Sequence, residues 1–149
     1  MSNRYQPARR PVDKESVYVY SSSIGTTQDN TNIRTSTVAE TYTGGHLQLS
    51  ISAVSGGATV LVVLAMIPEG ITIPNISSTD GSAIFTPEEY SVWSGAFFIG
   101  ASQTETLVIK EKLKAMRKMK NGDRLALCIR ASGATTANVT AVVTSFFKQ

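Results

Sequence analysis

The sequence predicts an all-β chain: an antiparallel β-sandwich, a single jelly roll of about eight strands. Three observations carry that expectation. Apolar and polar residues alternate with period two through much of the 149 residues, the mark of strands with one buried face. Turn formers (Gly, Pro, Asn, Asp, Ser) recur between those runs, roughly every ten to fifteen residues. The amphipathic segments that a helical or parallel α/β fold requires are missing.

Met1 to Lys14 is polar, carries Pro7 and Pro11, and has no apolar period to fold it against a core. Residues 1–15 are therefore assigned to a flexible, weakly basic arm, and residues 16–149 to the jelly-roll domain. From Ser16, Val17 and Val19 alternate with Tyr18 and Tyr20, a short strand suited to pairing with another chain. Ile33 to Thr43 is Thr-rich and reads as an edge strand closed by Gly44-Gly45. His46 to Val54, Ser55-Gly56-Gly57 and Ala58 to Ile67 form the strongest hairpin pattern in the chain. Leu47, Leu49, Ile51 and Ala53 share one face of its first strand, whereas Val60 to Met66 is apolar on both faces. A strand of that kind lies in a sandwich or beneath a partner subunit.

Pro68-Glu69-Gly70 ends that strand and opens a long loop, Ile71 to Thr86. Pro87-Glu88-Glu89-Tyr90 has the residues of one helical turn, proline first and carboxylates near the positive end of the dipole. Val92 to Ile99 is an aromatic strand with Trp93, Phe97 and Phe98 as core contributors. Ala137 to Phe147 closes the chain with Val139, Ala141, Val143 and Phe147 on one face.

The chemistry concentrates between Thr104 and Arg130. Leu107, Ile109, Leu113 and Ala115 fall on odd positions while Lys110, Lys112 and Lys114 fall on even ones, so an extended chain buries one face and shows ammonium groups on the other. Helical spacing of Ile109, Leu113 and Met116 is the competing reading. The β-branched lead-in and the hairpin-like turn at Asn121-Gly122 favour the strand, and Leu125, Leu127 and Ile129 restart the period-2 pattern.

The formal net charge of +3 conceals a segregation, because no lysine or arginine lies between Thr35 and Ile109. Arg4, Arg9, Arg10 and Lys14 form one basic group, and Lys110, Lys112, Lys114, Arg117, Lys118, Lys120 and Arg124 the other. Of these, Arg4, Arg9, Arg10, Lys14, Lys110, Lys112, Lys114, Arg117, Lys118 and Lys120 are the candidate nucleic-acid-binding residues. Clustered cations neutralise phosphates or an acidic neighbour, and counterion release makes either contact salt-sensitive. A merely solubilising face is the plain alternative.

One cysteine, Cys128, excludes an internal disulfide, and its place in a strand marks it as a small buried hydrophobe. His46 has no second histidine or thiol pair with which to hold a metal. Nucleophile elbows and phosphate-cradling glycine loops are missing as well, so the expectation is no enzyme, no cofactor, no metal and no catalytic residue. No signal-like n-region and h-region opens the sequence, and the longest apolar run, Thr59 to Ile67, is too short for a bilayer. That leads to a chain made in the cytosol, with no membrane partner.

Met66-Ile67-Pro68-Glu69-Gly70, Pro74 to Gly81, Phe85-Thr86-Pro87-Glu88-Glu89-Tyr90-Ser91-Val92-Trp93-Ser94-Gly95, Met116 to Asp123 and Phe146-Phe147-Lys148 resemble, in the same order, the capsid proteins of small circular Rep-encoding single-stranded DNA viruses, the circovirus-like group. The resemblance runs from Gly45 to the end and rests on the ordered set. It implies a jelly roll that self-assembles into a small icosahedral shell (T=1, about 60 copies) around single-stranded DNA. It implies a virion protein made in the host cytosol and a host-surface receptor the sequence does not name; nuclear assembly goes with the arginine-rich tract by which family members reach the nucleus. Family members commonly open with a dense arginine-rich tract that binds genome; here Arg4, Arg9, Arg10 and Lys14 stand in its place. Two other classes fit an all-β chain. One is a trimeric jelly-roll recognition module like those of the tumour necrosis factor and C1q group; the other is a carbohydrate-binding sandwich presenting Tyr18, Tyr20 and Trp93.

Overall fold

The computed structural model describes residues 14–53, 58–73, 90–100, 106–131 and 137–149. Nine strands lie in the described residues: β1 (Lys14–Ile24), β2 (Asp29–Thr35), β3 (Glu40–Ala53), β4 (Ala58–Ile67), β5 (Ser91–Ile99), β6 (Leu107–Leu113), β7 (Arg117–Met119), β8 (Arg124–Ala131) and β9 (Ala137–Lys148). They form two antiparallel sheets. The first has the order β1-β9-β3-β6, with β7 also on β3, and the second the order β2-β8-β4-β5. The partners nest, β1 with β9, β2 with β8, β3 with β6 and β7, β4 with β5, as in a long hairpin rolled over on itself. That nesting is a jelly roll, the architecture expected from the count of strands and the spacing of turns.

The core lies between the sheets. Leu47, Leu49 and Ile51 of β3 and Val139, Ala141 and Val143 of β9 meet Val60, Val62 and Leu64 of β4 and Leu125, Leu127 and Ile129 of β8. A Leu, Ile or Val fully buried in this way contributes about 1.5–3 kcal/mol. The two-sided apolar character of β4 has its explanation here: Val63, Ala65 and Ile67 face away from that core. With Ala126 and Cys128 they form a second buried cluster, against which Leu61, Ile73 and Tyr90 pack. Cys128 is fully buried and its thiol is pushed up to about 12 by burial.

Five sequence expectations need correction, the first being that Phe98, expected in the core, is exposed on β5. His46–Val54 and Ala58–Ile67 do not form a hairpin, because β3 and β4 belong to different sheets and the chain changes layer between them. Asn121-Gly122 likewise leads from β7 in the first sheet to β8 in the second. Alternation reports which face of a strand is buried, not which strand lies beside it. Gly44-Gly45 does not close a strand but sits inside β3, where the register against β9 shifts between Tyr42 and Gly45. Finally, β1 pairs along its whole length with β9 of its own chain. β1 begins at Lys14, within the segment assigned to the arm. Arg4, Arg9, Arg10 and the turns expected at 55–57 and 87–89 lie outside the described residues.

A charged clamp ties β2 to β3. Arg34 Nε and Nη2 donate to the Glu40 carboxylate at 2.7 and 2.8 Å, and Ser36 Oγ donates to it at 2.6 Å. The Arg34 guanidinium also lies 4.3 Å from the centroid of the Phe147 ring. The Arg34 hydrogen bonds hold the buried Glu40 carboxyl below the usual carboxylate range, with help from Ser36 and against the opposing effect of burial. A depressed carboxylate stabilises the fold above its unfolded pKa of about 4.3, and that contribution is lost as pH falls through the folded value. Unfolding midpoints in urea should therefore fall more steeply for the native chain than for Glu40→Gln between about pH 5 and pH 3. Parallel pH profiles would assign the clamp no such role.

Candidate nucleic-acid interface

β6 is an edge strand of the first sheet, and its side chains divide as the alternation requires. Leu113 is buried and Leu107 and Ile109 are half-buried, while Lys110 and Lys112 are exposed on the outer face. Lys114 is exposed just beyond the strand. The edge then breaks and resumes as β7, in which Met119 is buried while Arg117 and Lys118 are exposed. The break falls beside the β3 bulge. A Cβ on Gly44 would lie 2.2 Å from the Leu113 carbonyl oxygen, and one on Gly45 would lie 1.8 Å from that of Thr144. Both glycines have positive φ, 103° and 155°, so the sequence there lets three strands approach more closely than a side chain permits.

The turn after β7 is fixed by Asp123, whose carboxylate accepts the Lys120 and Glu69 backbone N–H groups at 2.8 and 3.1 Å. Gly122 takes φ 92°. Its N–H donates to the Ser36 carbonyl, and the Ser36 N–H donates to the Asp123 carbonyl, both at 2.8 Å. The cations before and after the turn are thus carried on a hydrogen-bonded corner.

The register assembles the outer face of this sheet. One row runs Val19, Val142, Gln48, Lys110 across β1, β9, β3 and β6, and the next runs Val17, Thr144, His46, Lys112. His46, Leu47, Gln48, Lys110, Glu111, Lys112, Val142 and Thr144 line a groove of about 460 Å3, so one carboxylate stands among its lysines. The His46 ring meets Phe146 edge-on, with centroids 6.3 Å apart. Further along, Lys118 and Lys148 stand on either side of Thr41, and with Lys120 they border a second hollow of about 280 Å3. No ion pair among the described residues holds Lys110, Lys112 or Lys118.

Of the candidate residues, then, Lys110, Lys112 and Lys118 share one face. Lys114 and Lys120 are exposed beside it. Lys14 is exposed at the start of β1, opposite Phe147. Arg117 is turned toward backbone, donating to the Met116 carbonyl at 3.1 Å and the Ser91 carbonyl at 3.5 Å. Sequence reasoning weighed His46 only as a metal ligand and passed over Gln48, Thr144, Phe146 and Lys148. Their outward parity was readable; their adjacency to lysines some thirty to sixty-six residues away was not.

No protein-family model matches the chain, and no curated protein matches it. Among solved structures there are matches of low similarity. The chain is similar to a structure of infectious bursal disease virus Gx strain, at 10% identity and TM-score 0.35, covering 100% of this chain and 41% of that one. A Gt-strain structure matches at 15% identity and TM-score 0.25, over 99% of this chain and 45% of that one. The VP2 subviral particle of the same virus matches at 13% identity and TM-score 0.26, over 94% and 42%. The chain thus spans less than half the length of each of these structures.

Among the described residues no group of three or more His, Cys, Asp or Glu side chains could hold a metal ion. No helix there is long and apolar enough to cross a membrane. Tyr20 is buried with its hydroxyl donating to Asp29 at 2.5 Å, while Tyr18 and Trp93 are half-buried, the latter stacked on Phe97. These three rings therefore do not present an exposed sugar-binding platform.

Proposed function

We propose that the chain is a viral capsid subunit that self-assembles into a small icosahedral shell and encloses single-stranded DNA. The observation that carries this reading is exposed apolar surface on the jelly roll, set beside cations on one of its two sheets. The second sheet leaves Phe98 72% exposed on its outer face, beside a buried apolar cluster beneath Ile73 and Tyr90. The first leaves Val17, Val19 and Val108 57%, 66% and 53% exposed, beside Lys110 and Lys112. An apolar surface of that kind is stable in solution when other molecules cover it, and the neighbouring ammonium groups favour a polyanion. The ordered resemblance to circovirus-like capsid proteins supports the same role. On this reading the chain has no catalytic task and belongs to the virion, in a shell of about 60 copies.

Negative-stain electron microscopy of the purified chain tests the proposal. Closed shells tens of nanometres across are the expected result. Discrete trimers would favour the tumour necrosis factor and C1q type of module, and monomers at every concentration would overturn self-assembly.

A further inference from the structure

We infer that the groove on the outer face of the first sheet is a seat for single-stranded nucleic acid, with phosphates along Lys110 and Lys112 and bases against Val17, Val19 and the His46–Phe146 pair. The inference rests on the capsid reading for its biological setting but not for its chemistry. Four strands spaced about 4.8 Å apart make each cross-strand row roughly 14 Å wide. Each row grades from cation through polar to apolar: Lys112, His46, Thr144, Val17, and Lys110, Gln48, Val142, Val19. A single strand has that gradation too, with charge along its backbone and exposed base faces beside it. A duplex turns its bases inward and offers the groove phosphate alone.

The occupant comes from outside the chain because three of its six described carboxylate side chains are engaged and one of the others, Glu69, lies away from the groove. Glu40 is held by Arg34 and Ser36, Asp29 by Tyr20, and Asp123 by two backbone N–H groups. Two exposed carboxylates remain near the groove. Glu15 of β1 lies opposite Phe146, and Glu111 lies between the two lysines on β6. The cations Lys110, Lys112 and Lys118 outnumber them.

Fluorescence anisotropy of the full chain with a labelled thymidine oligonucleotide, over a range of salt, tests the site. The same sequence as a duplex and inorganic polyphosphate serve as competitors. The single strand should bind tightest. Lys110→Gln with Lys112→Gln should reduce the slope of log affinity against log salt by about 1.4, at about 0.7 for each phosphate contact. Val19→Ser should weaken binding about fivefold or more and leave that slope unchanged. Polyphosphate competing as well as the oligonucleotide would overturn the base-side contact. Variants that bind like the native chain while shells still form would overturn the groove and leave the capsid reading intact. Variants that bind normally but no longer form shells would place the face against a neighbouring copy, which also overturns the groove. A chain that binds through the groove but never forms shells would support the site and overturn the capsid reading.

Discussion

Val62→Asp should leave almost no folded protein. Val62 is fully buried in β4, in register with Gly95 of β5 on one side and Ile129 of β8 on the other. Its side chain enters the core between the sheets, where the neighbours are aliphatic. An aspartate there either leaves a carboxylate without donors or takes up a proton, and both are unfavourable. A penalty above about 4 kcal/mol is at the far end of single-residue effects, and it is comparable to the whole stability of a small domain. The measurement is the far-ultraviolet circular dichroism and soluble yield of the variant. Val19→Ser is the matched control, since Val19 is 66% exposed on the same fold. A soluble Val62→Asp chain with native strand content would contradict the buried position of β4.

Gly45→Ala should be nearly as damaging for a different reason. The added Cβ would stand 1.8 Å from the Thr144 carbonyl oxygen and 2.8 Å from the carbonyl carbon. Both are backbone atoms, so no rotamer change relieves the clash. β9 would have to move away from β3 at the point where β6 also pairs with Gly45. A loss of at least about 3 kcal/mol, roughly 10 °C in melting temperature, is expected. Gly100→Ala is the control, because nothing lies within 4 Å of a Cβ there. Equal melting temperatures for the two alanine variants would show that the bulge tolerates a side chain.

Those two residues also mark how far the fold was legible in the sequence. Val62 was legible: a run apolar on both parities has few places to go in an all-β chain, and the second cluster around Cys128 accounts for its outer face. The lysine stripe of β6 and the closing strand β9 were legible on the same ground. Gly45 was not. Glycine at positive φ marks the end of a strand or a bulge within one, and only the partner strands decide between them. The nearness of β3 and β4 in sequence misled in a related way, since two strands a few residues apart fit a hairpin and a change of layer alike. The groove was the least accessible feature. Its walls come from residues 46–48, 110–112 and 142–144, which meet only because rolling the chain sets β3 between β6 and β9. Periodicity placed each of these side chains outward but could not make them neighbours.

Nuclease protection tests the central claim most directly. The purified chain is mixed with circular single-stranded DNA, treated with nuclease, and the surviving DNA is measured in the fraction that sediments as particles. Intact circles recovered only from that fraction are the predicted result. Complete digestion of the DNA, with the chain remaining in small species at the top of the gradient, would contradict it.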